Sequence, residues 1–101
     1  MTLMTERLRG NGLYLFDEPE AALSPTRQMA LLSLMAGLAR EHSQFIIATH
    51  SPILMAYPRA RIYVLSDDGI AGTPYEETEH YRMTSDFFAH REGIVRELTE
   101  E

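Results

Sequence analysis

Two short stretches carry side chains that could do chemistry. Asp17 and Glu18 follow directly on the apolar run Leu13-Tyr14-Leu15-Phe16, with Pro19 after them. His50 lies in Thr49-His50-Ser51-Pro52, directly after Phe45-Ile46-Ile47-Ala48. Short continuous apolar runs suit strands covered on both faces, as in a parallel sheet. In open α/β sheets, ligands bind at the carboxyl ends of the strands. The two acids and the imidazole are therefore predicted to leave the same rim. Neighbouring residues on a strand point to opposite faces, so Asp17 and Glu18 should do different work. One can hold a metal ion while the other orients a water molecule. Such a rim suits either a metal site or phosphoryl transfer to water.

The elements that must position these groups follow from the pattern between and beyond them. Ser24 can cap a helix whose first residue is Pro25, where a missing N–H costs nothing. Leu31, Leu34, Met35 and Leu38 repeat at helical spacing and form its core-facing stripe. Strand, helix, strand is a βαβ unit, with a right-handed crossover expected. Ser51 and Pro52 repeat the cap-plus-proline signal and open a short helix that Pro58 ends. Residues 61–66 read as a third strand, Asp67-Asp68-Gly69 as a turn, and residues 70–74 as the returning arm of a hairpin. Residues 75–81 are polar and read as a loop. Thr84 or Ser85 can cap a last helical region, broken near Gly93, with Phe87, Phe88, Ile94, Val95 and Leu98 as its docking face. At the front, residues 2–9 fit a helix that Gly10-Asn11-Gly12 ends.

Composition narrows the possibilities. The chain has 101 residues, 45% hydrophobic and 24% charged, as expected for a soluble globular domain. The lack of cysteine excludes disulfide scaffolds, zinc–thiolate sites and thiol catalysis. No apolar run approaches the ~18 residues of a membrane helix. Residues 1–12 lack the apolar stretch of a signal peptide, so a cytoplasmic location is expected. A net charge of −6 argues against broad binding to a nucleic-acid backbone by this segment. All nine basic residues are arginines. No mechanism that needs a lysine can run within this chain.

The same residues resemble a known family. Leu13 to Glu20, Leu-Tyr-Leu-Phe-Asp-Glu-Pro-Glu, looks like the Walker B motif of ABC-type ATPases. Ala21-Ala22-Leu23-Ser24-Pro25 looks like their D-loop, and Thr49-His50-Ser51-Pro52 like their H-loop. Order and spacing match together. Asp-Glu-Pro-Glu with Thr-His-Ser-Pro is closer to the soluble, non-transporter branch of Rad50, SMC and RecF relatives and the predicted bacterial AAA-family ATPases. The resemblance implies an α/β fold with a mainly parallel sheet of the P-loop NTPase type. It implies that Asp17 supports Mg2+, through a coordinated water. Glu18 would polarise the attacking water, and His50 would contact the γ-phosphate of ATP. Ala22, Leu23 and Ser24 would lie at the interface with a second ATPase subunit.

The departures matter as much. The family's phosphate-binding loop, Gly-x-x-x-x-Gly-Lys-Ser/Thr, cannot be present without lysine. No Gly-Gly pair exists, so the Ser-Gly-Gly core of the signature motif is absent too. The expectation is a single partial ATPase domain over residues 1–101. It would be the C-terminal portion of the fold, with a terminal β-hairpin and C-terminal helices, and inactive by itself. An incomplete sheet would leave apolar faces and edges open, so the chain should form homo-oligomers or meet a complementary N-terminal segment. Two other readings compete. One is a non-catalytic interaction module built on the ATPase scaffold. The other is a metal-dependent hydrolase built on Asp17, Glu18 and His50.

Overall fold

The centre of the first part of the chain is a pair of parallel strands in register. Leu13–Asp17 pairs with Gln44–Ala48, so that Tyr14 lies beside Phe45 and Asp17 beside Ala48. The computed structural model describes residues 2–4 and 12–100. Thr2–Met4 forms β1, antiparallel to the free edge of Leu13–Asp17, which is β2. Gln44–Ala48 is β3, and the sheet order is β1-β2-β3. By contact, the chain divides into two compact units, Met1–Pro58 and Arg59–Glu101.

The helix between the parallel strands, α1, spans Pro25–Arg40. Ser24 caps it as its sequence suggests: Arg27 N–H donates to Ser24 Oγ at 3.2 Å, and Pro25 occupies the first turn. It ends with three N–H groups folding back onto its last carbonyls, from Glu41 and Ser43 to Leu38 and from His42 to Ala39. His42 takes the left-handed conformation that glycine usually supplies at such an end.

One face of the sheet is packed. Tyr14, Phe16 and Leu38 are buried together, with Leu31, Phe45 and Ile47 against them. The Tyr14 and Phe45 rings stack with centroids 5.1 Å apart, and Phe16 meets Phe45 at 6.0 Å. The expectation of strands covered on both faces fails here. Burial along β2 alternates, leaving Leu13 and Leu15 exposed, and Ile46 of β3 is 63% exposed. The reason is the number of layers: α1 covers one face, and no described element of this unit covers the other. The stripe on α1 is narrower than its sequence pattern. Met35 and Leu38 are buried, whereas Leu34 is 42% exposed, and of the stripe Leu31 and Leu38 pack against the aromatic core of the sheet.

The helix expected over residues 2–9 is replaced at Thr2–Met4 by β1. The unpaired edge of β2 offers these residues backbone partners that a short isolated helix cannot match. Residues 5–9 lie outside the described residues. The segment after His50 forms no α-helix. It makes a 3-10 turn over Leu54–Ala56, with Leu54 buried.

The second unit is a hairpin followed by two helices. Tyr63–Ser66, β4, pairs antiparallel with Gly69–Gly72, β5, around the Asp67-Asp68 turn. Both strands are shorter than the sequence expectation. Residues 75–81 are not a loop. Tyr75–Glu77 forms a 3-10 turn, and α2 runs over Glu79–Ala89. The cap is Thr78, whose Oγ1 donates to the Tyr75 carbonyl and accepts from Tyr81 N–H. Thr78 takes the capping place expected of Thr84 or Ser85, and the Tyr75 and Tyr81 rings pack 4.8 Å apart on either side of it. The break falls at His90, and α3 spans Arg91–Thr99 with Gly93 inside it. Of the predicted docking face, Phe88 and Leu98 are over 70% exposed.

Two glycines give opposite expectations. A Cβ at Gly12 would stand 2.9 Å from ring carbons of the fully buried Tyr14. Gly12→Ala should therefore destabilise the first unit by about 1–3 kcal/mol. A Cβ at Gly93 meets nothing within 4 Å. Gly93→Ala should stabilise α3 by about 0.5–1 kcal/mol. Denaturant unfolding of both variants beside the parent checks the pair; equal stability in all three would contradict both.

Candidate functional site

The in-register pairing sets the two strand ends level, and the acid-bearing turn closes across them. Glu18 N–H donates to the Ala48 carbonyl at 2.7 Å, one step beyond the ladder. Glu18 then takes a left-handed conformation, φ 48 and ψ 54, which costs a residue with a Cβ roughly 1–2 kcal/mol. That conformation ends β2 abruptly and starts a 3-10 turn over Pro19–Ala22, with Pro19 buried beneath it. The Glu18 carboxylate comes to 3.5 Å from His50 Nδ1. Both side chains are well exposed, so this pair adds little to stability. Its value is geometric: an acid and an imidazole from separate strand ends face one point.

Asp17 is the last residue of β2. By strand alternation it lies on the open face of the sheet, with Leu13 and Leu15. Ligand atoms of Glu18, Glu20 and His50 all lie within 4.8 Å of one another. Among the described residues, the converging set thus contains Glu20, and Asp17 stands beside it at the strand end. An exposed carboxylate at this position offers the hard oxygen donor that Mg2+ prefers.

Glu20 received no role from the sequence, and the structure gives it one. Its Oε1 accepts from the Thr49 hydroxyl at 2.6 Å, and its Oε2 accepts from His50 N–H at 2.8 Å. Thr49 Oγ1 in turn accepts from Ser51 N–H at 2.9 Å. One carboxylate thereby holds two successive residues of the histidine-bearing turn, and Thr49 links it on to Ser51. Burial pushes the Glu20 carboxyl up, but the bonds from Thr49 and His50 and the charge of His50 outweigh it and hold the group below its ordinary value. The one signal in the sequence was position: Glu20 lies two residues past Glu18, in the turn that Glu18 opens.

A second tie comes from α1. Gln28 is 8% exposed. Its Nε2 donates to the Leu23 carbonyl at 3.1 Å, and its Oε1 accepts from the buried Ser51 hydroxyl. Ser51 Oγ also accepts from Ile53 and Leu54 N–H. Leu23 is half-buried, whereas Ala22 and Ser24 are exposed at the surface beside it. The stretch 22–24 is thus joined through one buried amide to the residue after His50.

The site is thus a parallel βαβ unit whose strand ends carry paired acids and a histidine. The family described as "AAA domain, putative AbiEii toxin, Type IV TA system" matches residues 2–56. This match spans more than half of the chain, and the chain belongs to that AAA-domain family of P-loop ATPases. No curated protein matches it. The α/β fold with a short parallel sheet agrees with part of a P-loop NTPase fold. Among the described residues, no helix is long and apolar enough to cross a membrane.

The lowered carboxyl of Glu20 makes a pH prediction. A group whose folded pKa is depressed contributes stability that is fully present above its unfolded pKa and is lost as pH falls through the folded one. The stability difference between the parent and Glu20→Met should therefore be largest near neutrality. It should shrink as pH drops through and below the ordinary carboxylate range. Denaturant titrations at several pH values measure it, and a pH-independent difference would contradict the assignment.

Proposed function

We propose that this chain is the C-terminal part of an ABC-type ATP-hydrolysing domain, of the soluble branch that includes Rad50, SMC and RecF. The observation that carries this reading is the 3.5 Å approach of Glu18 to His50 across the ends of adjacent parallel strands. Phosphoryl transfer to water is mostly positioning and charge neutralisation. Glu18 orients the attacking water by accepting its hydrogen bond. His50 contacts the γ-phosphate. Asp17 would help to hold Mg2+, which when bound would supply charge neutralisation at the phosphate oxygens. Ala22, Leu23 and Ser24 form the interface to a second subunit.

The lack of lysine means that the phosphate-binding loop has to come from another segment. The open apolar face of Leu13, Leu15 and Ile46 supports such a complement, as does the edge position of β3. The partners on this reading are a complementary N-terminal ATPase segment and a second copy of the domain, in the cytoplasm. The same open face favours a second reading, a non-catalytic interaction module on this scaffold. ATP turnover separates the two.

The chain by itself should release phosphate from ATP no faster than buffer. Joined to a segment that carries the phosphate-binding loop, it should turn over ATP with Mg2+. Glu18→Gln should then abolish turnover while leaving ATP affinity intact and the dimer closed. Asp17→Asn should weaken Mg2+-dependent ATP binding as well. Titration of nucleotide affinity beside size-exclusion chromatography reads both. Robust turnover by the chain alone, lost in Glu18→Gln, would overturn the architecture. Equal loss of ATP binding in the two variants would overturn the division of labour.

A further inference from the structure

We infer that Glu20 is a positioning residue: it sets where His50 stands relative to Glu18. Its catalytic consequence rests on the ATPase reading above. His50 sits in a turn beyond β3, outside the strand ladder that fixes Asp17 and Ala48. The carboxylate of Glu20 ties this turn back to the acid-bearing segment, through His50 N–H and the Thr49 hydroxyl.

The chemistry of the two bonds explains why a carboxylate stands there. Thr49 Oγ1 already accepts from Ser51 N–H, so its proton is directed to Glu20. His50 N–H is a second donor aimed at the same side chain. Two donors need two acceptors, and an ionised carboxylate offers two with no proton of its own. An amide offers one acceptor oxygen and an NH2 group that can only donate. Glu20→Gln can keep the bond to His50 only by turning its NH2 group toward Thr49. Glu20→Met keeps the length of the side chain and keeps neither bond.

Glu20 also shares its short turn with Glu18: Pro19–Ala22 begins at Glu18, and Ala21 N–H donates to the Glu18 carbonyl. The piece of backbone that aims Glu18 therefore carries the group that aims His50. Reacting groups displaced by about 1 Å can lose on the order of a hundredfold in rate, so this shared mounting matters more to chemistry than to folding.

The test has two arms. In the full chain, labelled for nuclear magnetic resonance, the His50 amide proton should be shifted downfield and protected from exchange. Glu20→Met should abolish both effects and move the His50 ring resonances. Glu20→Gln should be intermediate. The Phe16 and Met35 amides and the His42 and His90 rings should stay unchanged in both variants. An unmoved His50 amide and ring in Glu20→Met overturn the proposal, whatever the ATPase does. In the chain joined to its phosphate-loop segment, Glu20→Met should lower kcat roughly ten- to a hundredfold. The KM for ATP should stay within about twofold, and Glu20→Gln should recover part of the rate. Unchanged kcat beside a displaced His50 overturns the catalytic consequence. Absence of turnover in the parent assembly sinks the ATPase reading, and the resonance arm then decides for Glu20.

Discussion

The parallel, in-register pairing of β2 with β3 is the constraint on which the rest of the first unit depends. It seats Phe45 between Tyr14 and Phe16, and α1 closes over that aromatic seam. It also brings two chain segments separated by a whole helix to the same height. A shift of one residue would turn Tyr14 and Phe16 outward and part Glu18 from the Ala48 carbonyl. Core and rim are therefore specified by one register. The buried face does the specifying, because the site residues themselves are mostly exposed.

Beyond the strand ends, the backbone ladder no longer decides geometry, and side chains take over. Glu20 holds the Thr49–Ser51 turn from the acid-bearing side, and Gln28 holds it from the helix side. Each spans more than twenty residues of sequence. Gln28 is almost wholly buried, so its two bonds act where water cannot compete for them. The rim is exposed, yet its placement is governed by polar contacts beneath and beside it.

Much of this was legible in the sequence, for identifiable reasons. The two apolar runs, the Ser24-Pro25 start and the order of acid and histidine are local signals, and they located β2, α1, β3 and the rim. Glu20 was hidden because its function is a contact with residues 29 and 30 positions away, and an acid after a proline looks like any turn acid. Leu34 and Ile46 were misjudged because periodicity reports which face is apolar, and only the surrounding layers decide whether that face is covered. The start of α2 moved from Thr84 or Ser85 to Thr78, whose hydroxyl bonds both the Tyr75 carbonyl and Tyr81 N–H, a local contact that apolar patterning does not report. At Thr2–Met4, a free strand edge overrode local helix preference.

The left-handed backbone at Glu18 has one more consequence. At that position folding and chemistry favour different amino acids. Glycine would relax the turn and leave the ladder intact, and it would strip the rim of its carboxylate. A search for sturdier versions of this chain, scored by folding alone, would drift toward glycine at residue 18. The sequence carries a strained glutamate instead, and on the ATPase reading proposed above the fold accepts a less stable backbone at this turn to keep a carboxylate in view of an imidazole.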